Sequence, residues 1–194
     1  MASEMFLNLG FKSVTMDDLA LQMGISKKTI YAHFANKTEL VEQSTHHVFT
    51  EIVTGITCIC NQQMNPIEEL YEVKKFALNN LKNEKASPQY QLRKFYPKIH
   101  KVLIQKTFEM MQDCVLTNIK RGITLGMYRE NLEPEFVSRI YFAGVNSIKD
   151  DALFPRQYFP LAQLNDTYLE YHLRGIVTPK GRNVLNKIIN SNHE

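Results

Sequence analysis

The sequence predicts an all-α protein in which a small N-terminal domain of three short helices precedes a larger helical domain. Apolar residues recur at spacings of three and four along nearly all of the 194 residues, and clean period-2 alternation is scarce. With 8 glycines and 7 prolines, the chain has little room for linkers. Short helices give way to long amphipathic ones near residue 45, so we place the domains at 1–45 and 46–194.

The composition is that of a globular protein with a substantial core, since 44% of the residues are hydrophobic and 22% are charged. The net charge of +3 is only mildly basic, so a polyanion would need a local cluster of basic residues. No apolar run approaches the ~18 residues of a membrane span, and the N-terminus lacks the pattern of a signal peptide. We therefore expect a cytoplasmic protein.

The three cysteines, Cys58, Cys60 and Cys114, contain no C-x-x-C and form no even-numbered disulfide framework. Cys58 and Cys60 would point about 200° apart on a helix and would not converge on a metal ion. His46 and His47 diverge for the same reason. Buried thiols in a reducing compartment are the expectation, with no metal and no cofactor.

The first three helices are delimited by residues that favour helix ends. These are Gly10 after the first helix, Thr15 before the second, Gly24 after it, and Ser26 before the third, which runs to about His33. The second helix is expected to bury one stripe, formed by Met16, Leu19, Ala20 and Met23.

Seven further helices are predicted by apolar stripes and by prolines suited to a first turn. Their expected bounds are 38–61, 66–81, 88–96, 97–125, 134–151, 161–177 and a short terminal helix through Ile189, with a polar break at "NEKASP", residues 83–88.

The second and third helices have the sequence form of a helix-turn-helix, with "TMDDLALQM", the turn "GI" and then "SKKTIYAHF". Ile30 and Phe34 would share an inward face, with Ile25 packing across the turn. Lysine, threonine, tyrosine and histidine side chains are left on the other side, where they suit base edges and phosphates. Residues 26–37 hold three lysines and no acid. The alternative is a solvated helical hairpin.

Residues 10–40, "GFKSVTMDDLALQMGISKKTIYAHFANKTEL", resemble the DNA-binding domain of the TetR family of bacterial transcriptional regulators. The features that match the family are a glycine followed by an aromatic residue, a helix capped by threonine, and a series of short pairs and triplets. They are Gly10-Phe11, Thr15, Leu19-Ala20, Gly24-Ile25-Ser26, Ile30-Tyr31, His33-Phe34, Lys37 and Leu40. "GITLGMYRENLEPE", residues 122–135, also resembles a connection in that family's ligand-binding domain. Together these segments span about a quarter of the chain.

The resemblance implies a set of DNA-binding residues: Thr15, Ser26, Lys27, Lys28, Thr29, Tyr31, His33 and Lys37. The four from Ser26 to Thr29 would face bases and adjacent backbone, and the others would hold phosphates. The chain departs from the family pattern in one respect, since only nine residues precede Gly10, where relatives usually have a longer first helix and a basic arm. Either the chain is truncated or its first helix is short, so N-terminal DNA contacts are in question.

The larger domain is expected to form a homodimer, because helix-turn-helix proteins act on paired half-sites. It is also expected to bind a small-molecule effector. Aromatic and methionine-rich helices suggest an effector pocket with Phe76, Tyr96, His100, Phe108 and Met111, although ordinary core is the alternative for each. The predicted dimer surface comprises Val137, Ile140, Tyr141, Gly144, Ile148, Leu164 and Tyr168, with packing inside one subunit as the alternative.

These expectations describe a transcriptional regulator, specifically a ligand-responsive repressor that binds a palindromic double-stranded DNA operator as a homodimer. The alternative is a helical small-molecule binding or interaction protein that has lost operator binding. The sequence contains no G-x-S-x-G, no phosphate-cradling glycine loop and no H-E-x-x-H, so we expect no enzyme activity.

Overall fold

A computed structural model describes residues 1–81 and 88–191, and within these ranges it contains ten α-helices. Their bounds are α1 Ala2–Leu9, α2 Met16–Met23, α3 Lys27–His33, α4 Lys37–Asn61, α5 Pro66–Leu81, α6 Pro88–Phe95, α7 Pro97–Thr124, α8 Pro134–Ser147, α9 Leu161–Ile176 and α10 Pro179–Ser191. The all-α prediction is confirmed. The polar break was predicted at residues 83–88, of which 83–87 lie outside the described residues and Pro88 begins α6.

Several predicted helix bounds differ from the structure by one to four residues, and side-chain hydrogen bonds explain two of them. α4 begins at Lys37 rather than Thr38, because Asn36 Oδ1 accepts a 3.0 Å bond from the Glu39 N–H and acts as the cap. α8 ends at Ser147 rather than near residue 151. The guanidinium of Arg156 donates to the carbonyl oxygens of Ile148 and Lys149, which satisfies acceptors that a longer helix would use itself.

The chain packs as two compact units, which we describe separately. Unit 1 comprises Met1–Thr54 and Asn79–Thr107, and unit 2 comprises Gly55–Leu78 and Phe108–Glu194. This division follows the packing of the residues rather than their function. The functional boundary near residue 45 stays a prediction.

The core of unit 1 holds the three short helices against α4, α6 and α7. Phe6 stacks on Phe11 at 5.4 Å between ring centroids, and Tyr96 meets Phe11 edge-on at 6.3 Å. The cluster comprises Phe6, Phe11, Val14, Met16, Leu19, Ala20, Ile30, Leu40, Val41, Leu92 and Ile99. Met23 was wrongly placed in the buried stripe, since it is 40% exposed at the last residue of α2.

The core of unit 2 surrounds a buried polar network. Tyr128 is fully buried, and its hydroxyl donates to Asn118 Oδ1 at 3.0 Å. Asn118 Nδ2 donates to Glu69 Oε1 at 2.7 Å, and Arg121 pairs with the other Glu69 oxygen at 2.5 Å. A Cβ on Gly122 would overlap the Tyr128 ring, so this glycine is required for the ring's position. The network thus joins α5 to the end of α7 and the segment after it.

Candidate nucleic-acid interface

The turn between α2 and α3 depends on the backbone of Gly24. This residue adopts the left-handed conformation, with φ 65° and ψ 29°, and its N–H donates to the carbonyl oxygens of Ala20 and Leu21. The Ile25 N–H donates to the Ala20 oxygen at 3.1 Å, which completes a Schellman-type helix end. The predicted helix-turn-helix is therefore present.

α2 begins with a capping box between Thr15 and Asp18. The Asp18 N–H donates to Thr15 Oγ1 at 3.1 Å, and the Thr15 N–H donates to Asp18 Oδ2 at 2.8 Å. These bonds from the backbone and hydroxyl of Thr15 lower the pKa of the Asp18 carboxyl. The Thr15 hydroxyl also donates to Asp18 at 2.7 Å. Its only proton is thereby used, so a phosphate would have to displace Asp18 to accept from Thr15.

The N-terminus of α3 carries Ser26 as its cap, as predicted. Ser26 Oγ accepts from the Thr29 N–H at 3.0 Å and lies 2.7 Å from the Thr29 hydroxyl oxygen. Lys27 Nζ contacts Asp17 Oδ2 at 2.9 Å, and this hydrogen bond raises the pKa of Lys27. Lys28 makes no hydrogen bond or ion pair with any of the described residues, so its ammonium is available to a ligand.

The remaining residues of α3 separate into an inner and an outer face. Ile30 is 5% exposed in the core, and Phe34 packs against it from the residue after the helix. Tyr31 is 45% exposed, and His33 is also exposed. Ile25 was expected to pack across the turn, but its side chain, next to the left-handed Gly24, is 38% exposed.

Lys37 lies at the first residue of α4 and points back toward the segment between α1 and α2. Its Nζ donates to the Lys12 carbonyl oxygen at 3.2 Å, and partial burial lowers its pKa. An ammonium has three N–H donors, so two remain for a phosphate. Asp17, the partner of Lys27, was not identified from the sequence.

The five predicted pocket residues are divided between the units. Within unit 2, the Phe76 ring occupies the space over Gly55, Phe108 contacts Phe142 at 5.1 Å between centroids, and Met111 borders the core. Within unit 1, Tyr96 packs on Phe11. Burial and the charge of Arg93 lower the pKa of His100. Their role in effector binding stays a prediction.

Most residues predicted at the dimer surface are buried within the single chain. Val137, Tyr141, Ile148 and Leu164 are at most 9% exposed. Tyr168 covers Gly144, and its hydroxyl donates to the carbonyl oxygens of Ile140 and Tyr141. The stripe thus forms the inner faces of α8 and α9, because an apolar stripe does not reveal which surface covers it. Of the seven predicted residues, Ile140 alone is exposed.

The described residues hold neither a metal-ligand cluster nor a membrane-spanning helix. No group of three or more His, Cys, Asp or Glu side chains in ranges 1–81 and 88–191 is placed to hold a metal ion. In the same ranges, every helix is too short or too polar to cross a membrane.

Comparison with known proteins agrees with this geometry. Residues 1–43 match the family described as "Bacterial regulatory proteins, tetR family". The helix-turn-helix-type transcriptional regulator YhgD of Bacillus subtilis (strain 168) is 26% identical over 135 residues, which are 69% of each chain. The helix-turn-helix-type transcriptional repressor KstR2 of Mycobacterium tuberculosis is 23% identical over 146 residues, covering 72% of this chain and 71% of that protein.

A solved structure shares the fold over most of its length. The transcriptional regulator from Saccharomonospora viridis, determined in complex with choline, superposes with a TM-score of 0.76 over 91% of this chain and 94% of that one, at 16% identity. The family match at residues 1–43 falls on the capped helix-turn-helix. Residues 1–43 are a DNA-binding domain of the TetR family of bacterial transcriptional regulators, and the chain is a DNA-binding regulator.

Proposed function

We propose that this regulator is a ligand-responsive repressor that acts in the cytoplasm as a homodimer on a palindromic operator. The observation that carries the proposal is the division of α3, which buries Ile30 and leaves Lys28, Tyr31 and His33 exposed on other sides. A helix that packs one face against the core and presents a polar face to solvent can insert that polar face into the major groove. The related KstR2 is named a repressor, which supports negative control here.

The contacts to DNA follow from the donors that remain available. Lys28 is unpaired among the described residues and would reach a base edge or an adjacent phosphate. Tyr31 and His33 offer an O–H and a ring N–H to phosphate oxygens. Lys37 would donate its two remaining N–H groups to the backbone while it keeps its bond to Lys12. Ser26, Lys27 and Thr29 would approach the bases after exchanging their present partners.

A homodimer is proposed because one short recognition helix makes few base contacts, whereas two on half-sites about 34 Å apart make a specific complex. The exposed face of α8 supports a second copy as the partner. Phe136 is 62% exposed and Ile140 is 49% exposed, four residues apart on one side of the helix. These two residues replace the buried stripe as the proposed dimer contact.

The effector is proposed to bind within unit 2, where Phe76, Phe108 and Met111 lie. The S. viridis relative was determined with choline, which supports small-molecule binding by this fold. Ligand binding would favour a conformation in which the two recognition helices no longer match the half-sites. Such coupling requires that the ligand bind the two conformations with different affinities.

A DNA-binding assay tests the proposal. The purified protein is incubated with a labelled fragment from upstream of its own gene, and in parallel with random DNA from which bound sequences are selected. We expect a preferred palindromic site whose affinity falls steeply with salt. Lys28→Ala and Tyr31→Ala should weaken binding, whereas Lys120→Ala, an exposed lysine of α7, should not. If neither fragment nor selection yields a preferred site, the chain is a helical binding protein without operator binding.

A further inference from the structure

Two of the three cysteines face each other inside unit 2. Sγ of Cys60 on α4 lies 3.1 Å from Sγ of Cys114 on α7. A disulfide bond of about 2.05 Å would require the two sulfur atoms to approach by only about 1 Å. Cys58, two residues before Cys60, is exposed, whereas Cys60 and Cys114 are both partly buried. Of the three cysteines, Cys60 and Cys114 are therefore the two placed to form a disulfide bond.

We propose that Cys60 and Cys114 form a reversible intramolecular disulfide when the protein meets a hydroperoxide. The Cys60 thiol is oxidised first, since it is less deeply buried than Cys114, and gives a sulfenic acid with release of one water molecule from hydrogen peroxide. The Cys114 sulfur then attacks the Cys60 sulfur, which forms the S–S bond and releases a second water. Two thiols and one peroxide thus become one disulfide and two water molecules, and a dithiol reverses the change.

Burial sets the rate at which this pair is oxidised. Burial raises the pKa of the Cys60 thiol, and it raises the pKa of Cys114 further. The thiolate is the nucleophile, so both sulfurs react slowly at neutral pH and faster as the pH rises. Once Cys60 is oxidised, the 3.1 Å separation favours reaction with Cys114 over a second oxidation.

The bond would join two segments of unit 2 and close a long loop of the chain, because 54 positions separate the two cysteines. Cross-linking so many residues restricts the unfolded chain. We therefore expect oxidation to raise the Tm by about 10 °C, and a dithiol to return it to the starting value.

Peptide mapping of the full chain tests the bond directly. The protein is treated with hydrogen peroxide, its free thiols are alkylated, and it is digested with trypsin. Cleavage after Lys37, Lys74, Lys106 and Lys120 places Cys58 and Cys60 on peptide 38–74 and Cys114 on peptide 107–120. We expect a cross-linked mass of these two peptides that is lost on reduction.

Variants identify the cysteines that form the bond. The cross-link and the Tm increase should persist in Cys58→Ser, which is the matched control, and should disappear in Cys60→Ser and in Cys114→Ala. Circular dichroism of the reduced proteins checks that each variant is folded. Four outcomes overturn the proposal: a cross-link that survives in Cys60→Ser, bonds only between molecules, direct conversion to sulfinic acid, or no oxidation of the pair.

Discussion

The ammonium of Lys27 lies 2.9 Å from the carboxylate of Asp17, ten residues earlier, so an acid of α2 neutralises the first lysine of the recognition helix. In the free protein this pair reduces the positive potential of the side proposed to face DNA. Both side chains are substantially exposed, so the pair contributes little to the stability of the fold. We expect its main effect to be on DNA affinity.

Asp17→Asn is expected to tighten operator binding, because it removes a negative charge from the surface and frees Lys27 for a phosphate. We expect an affinity about threefold higher at physiological salt and a salt dependence steeper by about 0.9 in the slope of log K against log salt. Fluorescence anisotropy over a salt series measures both. Glu42→Gln, which removes an exposed acid from α4, is the control. Weaker binding by Asp17→Asn would instead show that Asp17 positions Lys27 for a base.

Gly24→Ala is expected to destabilise the helix-turn-helix by about 1–2 kcal/mol, since an L-residue is strained at φ 65°. No atom lies within 4 Å of the Cβ that would be added, so backbone strain is the only direct cost. Gly24→Asn is the matched variant, because asparagine tolerates this conformation better, and it should lose less stability. Urea unfolding compares the three proteins. Equal losses in the two variants would contradict the role of φ.

Tyr128→Phe is expected to lower the free energy of unfolding by about 1–3 kcal/mol, because it leaves the buried Asn118 Oδ1 without its donor. Tyr171→Phe removes the hydroxyl of an exposed tyrosine on α9 and should have no effect. Thermal unfolding of both variants beside the wild type measures the difference. An unchanged Tm for Tyr128→Phe would mean that the network contributes no net stability.

His172 predicts a loss of stability in mild acid. The ring lies 4.8 Å from that of Tyr141, its Nε2 is buried without a hydrogen-bond partner among the described residues, and burial lowers its pKa to about 4. The unfolded chain takes up the proton more readily, with a pKa near 6.5. Stability contributed by the neutral ring is therefore complete above about pH 6.5 and decreases toward pH 4, by roughly 2–4 kcal/mol.

The His172 effect is isolated by comparison with a variant that cannot titrate. His172→Phe should lose less stability between pH 6.5 and pH 4 than the wild type, while other groups contribute equally to both proteins. Urea unfolding at several pH values provides the free energies. Parallel pH profiles would show that His172 is not the group responsible.

Ile140→Glu is expected to convert the proposed homodimer to a monomer, because it places a charge on the exposed face of α8. Sedimentation velocity measures the mass, and operator affinity should fall with it. Leu21→Glu alters an equally apolar but more exposed residue of α2 and should leave the mass unchanged. A dimer that persists in Ile140→Glu would place the interface on another surface.

The sequence predicted local structure better than it predicted partners. Thr15, Ser26 and Gly24 were identified correctly because a helix end depends on the few residues beside it. The stripe through Val137 and Tyr141 was correctly recognised as apolar. It was predicted to contact a dimer partner, whereas the structure buries it inside the single chain. Spacing reveals that a face is covered and does not reveal what covers it. The contact of Lys27 with Asp17 was missed because it depends on the angle between two helices.

The close packing of Gly122 against the Tyr128 ring limits which substitutions the two positions can accept during evolution. The ring of Tyr128 fills the space that any side chain at position 122 would need. A larger residue at 122 is tolerated only if 128 becomes smaller, and a smaller residue at 128 leaves a void that glycine cannot fill. The two positions therefore change together or remain as they are, so among relatives they should covary.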